Sequence, residues 1–498
     1  MATGIENIEH IVVVMMENRS FDNLLGWLYS PSDPPQFNIP DQSPPTFEGL
    51  AVEKYFNQAA GPDSPKVFAS RPTTAWPSAQ NRNIVPTPDP HEEYDHIATQ
   101  LFGTATPPPG ARADMSGFLK DYATTPAGAA SAGQIMQSYG PDQANVINQL
   151  ARNFAVCDAW FASCPCQTWP NRGFVHTGSS DGHINNDNYL LYDIPTIYNV
   201  LEGRGISWGV FAETTLIPSL TWGQFLPRLA PYGVHFHRYA QFENMCRSRA
   251  DASPASKLPT YSFIEPRFVP ELGLFAIDYP NDYHPPHNVC RGEQFLARVY
   301  QAVRNSPYRD KILLVITFDE HGGCYDHVPP PANAVAPEPG NVSRDGRFHF
   351  DRFGVRVPAI VISSYLRPGT VFRTAPGATP FDHTSILATL RDWQKLSGDP
   401  AHPFLPSPRI AAAPTLHRVL TLDESSKNTS WPDITAQCHL GDDDESITTP
   451  LSDVQHSLIA SAMRNVNSSP AEQETTAAVS RQLDTYEHAL NFLHPDAP

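Results

Sequence analysis

The sequence predicts an α/β fold built on a mainly parallel sheet, and three observations carry that prediction. The runs Ile11–Met16 and Ile312–Phe318 are short and apolar apart from Thr317, as strands covered on both faces tend to be. Strand and helix signals alternate along the first four-fifths of the chain. Proline is abundant, 51 of 498 residues, yet aliphatic and aromatic segments recur between the proline clusters 31–45, 107–109 and 329–331. That pattern predicts long ordered loops wrapped on a compact sheet rather than disorder.

In chain order, Ile11–Met16 is the first strand, and Ser20–Leu25 follows it as a capped helix start. Residues 30–90 are rich in proline and polar side chains and read as a long loop excursion. Ala144–Leu150 has helical spacing and leads into a strand over Phe154–Asp158. Strands are predicted at Trp208–Glu213, Tyr261–Glu265, Ile312–Phe318 and Val357–Ser363, and helices at Arg291–Val303 and His383–Lys395. Beyond about residue 400 the pattern becomes polar and mostly helical. The expected organisation is a catalytic domain over residues 1–400 and a helical extension over 401–498 packed on it. No internal repeat is visible.

Bulk properties exclude some functions. With 34 basic against 52 acidic residues, a net charge of −18 and no basic stripe, nucleic-acid binding and simple electrostatic docking to an anionic membrane are disfavoured. A phosphate ester is not excluded, provided a cation and histidines make the site locally positive. The seven cysteines (157, 164, 166, 246, 290, 324 and 438) lack zinc-ribbon spacing and read as small buried residues or one disulfide. The chain opens almost directly on a strand, without the pattern of a signal peptide, and Ile11–Met16 is too short to span a bilayer. The expectation is a cytoplasmic protein, or a secreted one whose signal has been removed. Leu216–Leu229, with Trp222 and Phe225, reads as ordinary packing, with a membrane-touching loop as the alternative.

The chemistry-bearing residues sit where the elements end. The first strand closes on Glu17–Asn18 and the strand Ile312–Phe318 closes on Asp319–Glu320, followed by His321–Gly322–Gly323. In open α/β sheets ligands bind beyond the carboxyl ends of the strands, so these hard oxygens can surround one divalent cation. Read locally, Glu17–Asn18 serves equally as part of a helix-capping network with Ser20 and Asp22. In Gln167–Arg172, Pro170 opens a helix and Thr168 falls at its N-terminus, a position that favours an anion. A hydroxyl held there on a metal can ionise and attack phosphorus, although an ordinary capping threonine looks the same. His91, His284, His287 and His383 stand in Asp/Pro-rich or Asp-His-Thr-Ser strings and offer metal ligation or proton transfer.

Taken together, Met16–Asp22, Thr168–Arg172, Asp319–Gly323 and Tyr325–Pro331 resemble the phosphoesterase family of bacterial phospholipases C, plant non-specific phospholipases C and bacterial acid phosphatases. His91 in its Asp-Pro setting, His284–Pro286, Val357–Ser363 and Asp382–Ser385 fit in the expected order, from about residue 8 to residue 395. The resemblance implies an alkaline-phosphatase-like three-layer sandwich and a hydroxyl nucleophile that forms a covalent phospho-enzyme. Thr168 occupies the nucleophile position, where acid phosphatases of the family tend to carry serine. Glu17, Asn18, Asp319 and Glu320 match the metal positions, with the Thr168 oxygen as a further ligand to one divalent ion, Ca, Mn, Mg or Zn. His91 and His284 match positions that contact the phosphoryl group or the leaving oxygen; His287, His321, His383 and Arg172 form a second tier without assigned roles. The implied activity is that of a phospholipase C, cleaving glycerophospholipids to diacylglycerol and a phosphorylated head group through phospho-threonine, with transient membrane contact. The alternatives are an acid phosphatase with the same site and, more remotely, a non-catalytic lipid- or metal-binding protein. Two departures stand out: the export signal of secreted members and the long C-terminal domains of larger bacterial enzymes are not seen in this chain. A sulfatase is set aside because Cys164–Arg172 lacks the Cys-x-Pro-x-Arg or Ser-x-Pro-x-Arg string.

Overall fold

The computed structural model describes residues 4–494 except 59–62, 73–82, 109, 127, 187–190, 215–218, 249–250, 254–255, 274–275, 439, 441–445, 464–474 and 477. Among the described residues the main sheet contains β1 (His10–Met16), β2 (Phe37–Ile39), β3 (Ala155–Cys157), β4 (Trp208–Ala212), β5 (Phe236–Arg238), β6 (Tyr261–Glu265), β7 (Ile312–Phe318), β8 (Ala359–Ile362) and β9 (Thr370–Phe372). Their order is β2-β9-β3-β8-β7-β1-β6-β4-β5. All neighbours run parallel except β8, which is antiparallel to both β7 and β3.

Every residue of β1, β3, β4, β6, β7 and β8 is buried. Because successive side chains point to opposite faces, both faces of the sheet must be covered. Two helix groups cover them. Phe21–Leu25, Asn145–Asn153, Tyr239–Cys246 and Val289–Arg304 pack in one series, and Thr168–Thr177, Ile197–Gly203 and Thr384–Trp393 in another. Strand β4 touches a member of each, Tyr239–Cys246 and Ile197–Gly203. This is the predicted three-layer α/β fold with a mainly parallel sheet. The strands expected from apolar runs are present, and Ser20 caps the first helix by accepting from the Asn23 N–H at 3.1 Å.

The proline-rich excursion is tied to the sheet. Within it, β2 pairs with β9 at one edge. A charged knot fastens a neighbouring stretch: Arg356 donates to Asp22 (2.9 Å) and Asp326 (3.0 Å), and His327 bridges Asp22 (2.6 Å) and Glu48 (3.0 Å) while its ring lies on Tyr55. Burial works against a charge on His327, but Asp22 and Glu48 outweigh it and raise its pKa to about 9 from 6.5. A raised folded-state pKa stabilises the fold fully below the unfolded value, and the contribution is lost as pH rises through about 9. Melting temperature should therefore fall between pH 6.5 and 9.5 more steeply in the wild type than in His327→Gln. The difference corresponds to at most about 3 kcal/mol. Parallel melting curves for the two proteins would show that the knot carries no such charge.

Cys290 and Cys438 form a disulfide, and Cys157, Cys164, Cys166, Cys246 and Cys324 are buried thiols, so the two alternative readings of the cysteines each hold for some of them. In the last part of the chain the described elements include the helices Pro408–Ala412, Asp453–Ala462 and Tyr486–Leu493. Leu451, Val454, Leu458 and Tyr486 pack with Trp169, Leu220 and Phe268. Trp169 Nε1 also donates to Ser457 Oγ at 2.8 Å. Of the stretch Leu216–Leu229, residues 216–218 lie outside the described residues; Leu220, Phe225, Leu226 and Leu229 are buried and Trp222 packs on Phe236, so the described part is core. No described helix is long and apolar enough to cross a membrane.

Candidate active site

Strands β1 and β7 are parallel neighbours with Met16 opposite Phe318, so the chain leaves both at one level. Glu17–Asn18 and Asp319–Glu320 therefore emerge side by side from a part of the sheet that hydrophobic burial fixes in register. Asn18 adopts the left-handed conformation (φ 55°), which asparagine tolerates better than most residues. Its N–H then reaches Asp319 Oδ1 (3.1 Å), and its side-chain amide donates to Glu320 Oε1 (2.8 Å) and Glu92 Oε1 (2.6 Å). Asp319 Oδ1 also accepts from the Glu320 N–H at 2.7 Å. The approach needs Gly322: its φ is +59°, and a Cβ there would lie 2.0 Å from the Asn18 carbonyl oxygen.

Thr168 begins the helix Thr168–Thr177, with Gln167 at the cap. Its Oγ1 lies 3.2 Å from Asn18 Oδ1 and 3.3 Å from Glu17 Oε2. Arg172, one turn on and so on the same helix face, donates to Glu17 Oε1 from Nε (2.9 Å) and a terminal nitrogen (2.5 Å). Its Nε is 3.4 Å from Asp319 Oδ2. One helix thus delivers both a hydroxyl and a guanidinium to the strand ends, and all of these groups are buried.

The charge balance there is negative. Burial pushes the Glu17, Glu320 and Glu92 carboxyls well above the usual range, and neighbouring carboxyls push further: Asp319 on Glu17 and Glu320, Glu320 on Glu92. Arg172 offsets this for Glu17. Among the described residues Asp319 Oδ2 is buried without a hydrogen-bond partner. Hard oxygen donors, surplus negative charge and an unsatisfied buried carboxylate oxygen are what a divalent cation would complete, so the residues fit one.

The histidines take different stations. His284 donates from Nδ1 to the Pro285 carbonyl (2.6 Å), which fixes its hydrogen there. Its Nε2 is 3.4 Å from Glu92 Oε1 and has no hydrogen-bond partner among the described residues. Burial drives the pKa of this imidazole well down. His383 donates from Nε2 to the Asp319 backbone carbonyl (2.6 Å), so it supports the loop rather than its carboxylates. His321 places Nδ1 3.1 Å from Glu320 Oε2. His287 bonds Asp282 at 2.5 Å. The His91 ring stacks on His96 at 3.9 Å and faces Asp121; no contact joins it to Thr168. Glu17, Asn18, Thr168, Arg172, Asp319 and Glu320 are thus brought together, His284 joins them through Glu92, and the His91 ring stands apart.

Glu92 was not singled out by the sequence, although it bonds Asn18 directly. Its neighbours His91 and Glu93 offer the same local signal, and only the fold separates them. A cavity of about 440 Å³ opens against Glu92 and Gln167. Its lining includes Pro88–Glu93, Pro286 and His287 together with Thr449–Asp453 and Tyr486. Prolines and the Tyr486 ring alternate there with the carboxyls of Asp89, Glu92, Glu93 and Asp453.

Comparison with known proteins identifies the family. The description of the Phosphoesterase family matches residues 8–397. The chain is 35% identical over 402 residues to non-specific phospholipase C3 of Arabidopsis thaliana, covering 77% of this chain and 69% of that protein. It is 35% identical over 436 residues to non-specific phospholipase C4 of the same plant, covering 84% and 73%. To the non-hemolytic phospholipase C of Burkholderia pseudomallei (strain K96243) it is 26% identical over 417 residues, covering 77% and 54%.

Proposed function

The chain belongs to the phosphoesterase family, and on that premise we propose that it is a phospholipase C that cleaves glycerophospholipids between glycerol and phosphate through a phosphorylated Thr168. The broader statement, a phosphoric ester hydrolase, follows from the family and from the phospholipase C relatives. The observation that carries the finer reading is the Thr168 hydroxyl, at a helix N-terminus and 3.2 and 3.3 Å from oxygens of Asn18 and Glu17.

Held by Glu17, Asn18, Asp319, Glu320 and Thr168 Oγ1, a divalent cation would supply the positive charge that favours an ionised hydroxyl and a charge-rich phosphoryl group. Thr168 Oγ1 forms the new bond to phosphorus as the bond to the glycerol oxygen breaks, and the helix N-terminus beneath it favours the phosphoryl charge. Arg172 keeps Glu17 turned toward the hydroxyl. The proton that the Thr168 hydroxyl gives up is carried by His284 Nε2, the nitrogen left bare because the ring hydrogen sits on Nδ1 against the Pro285 carbonyl, and the departing alkoxide takes it from there. Water then attacks phosphorus, His284 Nε2 takes the water proton, and the Thr168–phosphorus bond breaks to return the hydroxyl and release the phosphorylated head group. The cavity beside Gln167 and Glu92 is the room for the part of the substrate that does not react.

Product analysis tests the reading. Phosphatidylcholine vesicles should yield diacylglycerol and phosphocholine, and a chelator should stop the reaction. Inorganic phosphate from a simple monoester, with no diacylglycerol, would replace the lipase reading by a phosphomonoesterase. His284→Gln should lower steady-state turnover by about 10²- to 10⁴-fold. With p-nitrophenyl phosphocholine, whose leaving group needs no proton, first-turnover release of nitrophenol should stay near the wild-type rate. Equal loss in both phases would remove His284 from the leaving-group role.

A further inference from the structure

Behind Glu320 a row of buried polar groups runs outward, and none of it takes part in the steps above. Gln100 lies on the helix Tyr94–Phe102 and is 1% exposed. Its Nε2 donates to the His91 carbonyl (2.8 Å) and to Asp121 Oδ2 (2.9 Å). Both partners only accept, which fixes the amide orientation and leaves Oε1 toward His321 Nε2, 2.7 Å away. The amide oxygen also only accepts, so His321 carries its hydrogen on Nε2; its Nδ1, bare in the neutral ring, lies 3.1 Å from Glu320 Oε2 and can accept from that carboxyl but not donate to it. The outer end is anchored as well: His96, four residues before Gln100 on the same helix face, meets Asp121 Oδ1 at 2.7 Å. Gly323 completes the packing, since a Cβ there would lie 2.8 Å from the His91 carbonyl oxygen and 2.5 Å from Pro90.

We propose that Gln100 is a positioning residue for the active site. One amide fixes the orientation of the His321 imidazole beside Glu320 Oε2, while it clamps the His91–Glu92 segment that meets Asn18 through Glu92. That double hold is why Glu320 and Glu92 converge on one Asn18 nitrogen, at 2.8 and 2.6 Å. Asp121 is the anchor that keeps the amide from turning over. The inference rests on the reading of Glu320 as a ligand of a divalent cation.

Gln100→Leu removes all three hydrogen bonds at similar volume. Titration of Mn²⁺ into chelator-treated protein should show binding weakened by about 10- to 100-fold, with kcat/KM on phosphatidylcholine falling in proportion. Asp121→Asn, which can accept from only one of its two donors, should weaken Mn²⁺ binding by a smaller factor and gives the same readout if Gln100→Leu does not fold. A purely structural role would lower the melting temperature and leave the Mn²⁺ Kd unchanged in both variants; that result overturns the proposal and leaves the Thr168 chemistry standing. If the wild type binds none of Mn²⁺, Ca²⁺, Mg²⁺ and Zn²⁺, the metal reading itself falls and takes this inference with it.

Discussion

Thr168→Ala should abolish turnover, by on the order of 10⁴-fold or more, in a protein that still folds. No other hydroxyl is recorded within hydrogen-bond distance of Glu17 Oε2 and Asn18 Oδ1 among the described residues. The structural loss is small, because Thr168 stands at the first position of its helix and alanine is a good helix former. Stability should change by about 1 kcal/mol, the scale of one hydrogen bond. Acid-quenched wild type mixed with phosphatidylcholine should carry a phosphocholine mass on the peptide containing Thr168, and the variant should not. Thr168→Ser keeps the attacking oxygen and should keep most of the activity. Near-normal kcat in Thr168→Ala would end the nucleophile assignment, and with it the covalent mechanism.

Asp319→Asn should have the next largest effect. The amide oxygen can still accept from the Asn18 and Glu320 N–H groups as Oδ1 does now, at 3.1 and 2.7 Å, so the loop keeps its shape. What changes is Oδ2, a buried oxygen with no hydrogen-bond partner that lies 3.4 Å from Arg172 Nε. An NH₂ group there removes a negative charge and opposes one donor to another. Divalent-ion affinity should drop by more than about a hundredfold, beyond the loss expected for a partner that only supports a ligand. Elemental analysis after dialysis should find the metal depleted, and excess metal should restore part of the activity. Unchanged metal content would mean that Asp319 is not a ligand.

Much of the frame was legible in the sequence, because each strand that leads into Glu17 or Asp319 is a nearly continuous apolar run with polar residues at its end. Ile11–Met16 and Ile312–Phe318 declared themselves in this way, and so did the acids that follow them. Their adjacency was not legible. The sheet order depends on which crossovers fold over which face, and nothing local says that β8 enters antiparallel between β7 and β3. The convergence of Thr168 with Glu17 came from the family resemblance, since the local string reads as well for a capping threonine. Glu92, Gln100 and Asp121 stayed hidden for a different reason. Polar residues in a proline-rich loop or on a surface helix are ordinarily hydrated, and only tertiary packing turned these three inward. His91 and His284 looked equivalent in their Asp/Pro strings; their separation depends on where each ring points, which the backbone decides.

Part of the cavity lining comes from Thr449–Asp453 and Tyr486, beyond the residues 8–397 that match the family description. Some of the wall is thus written outside the passage that carries the reactive residues. Changes in the closing stretch can reshape the entrance while every atom that handles phosphorus keeps its spacing. Two relatives can then differ in diet with identical reactive residues, and a survey restricted to those residues would judge them alike.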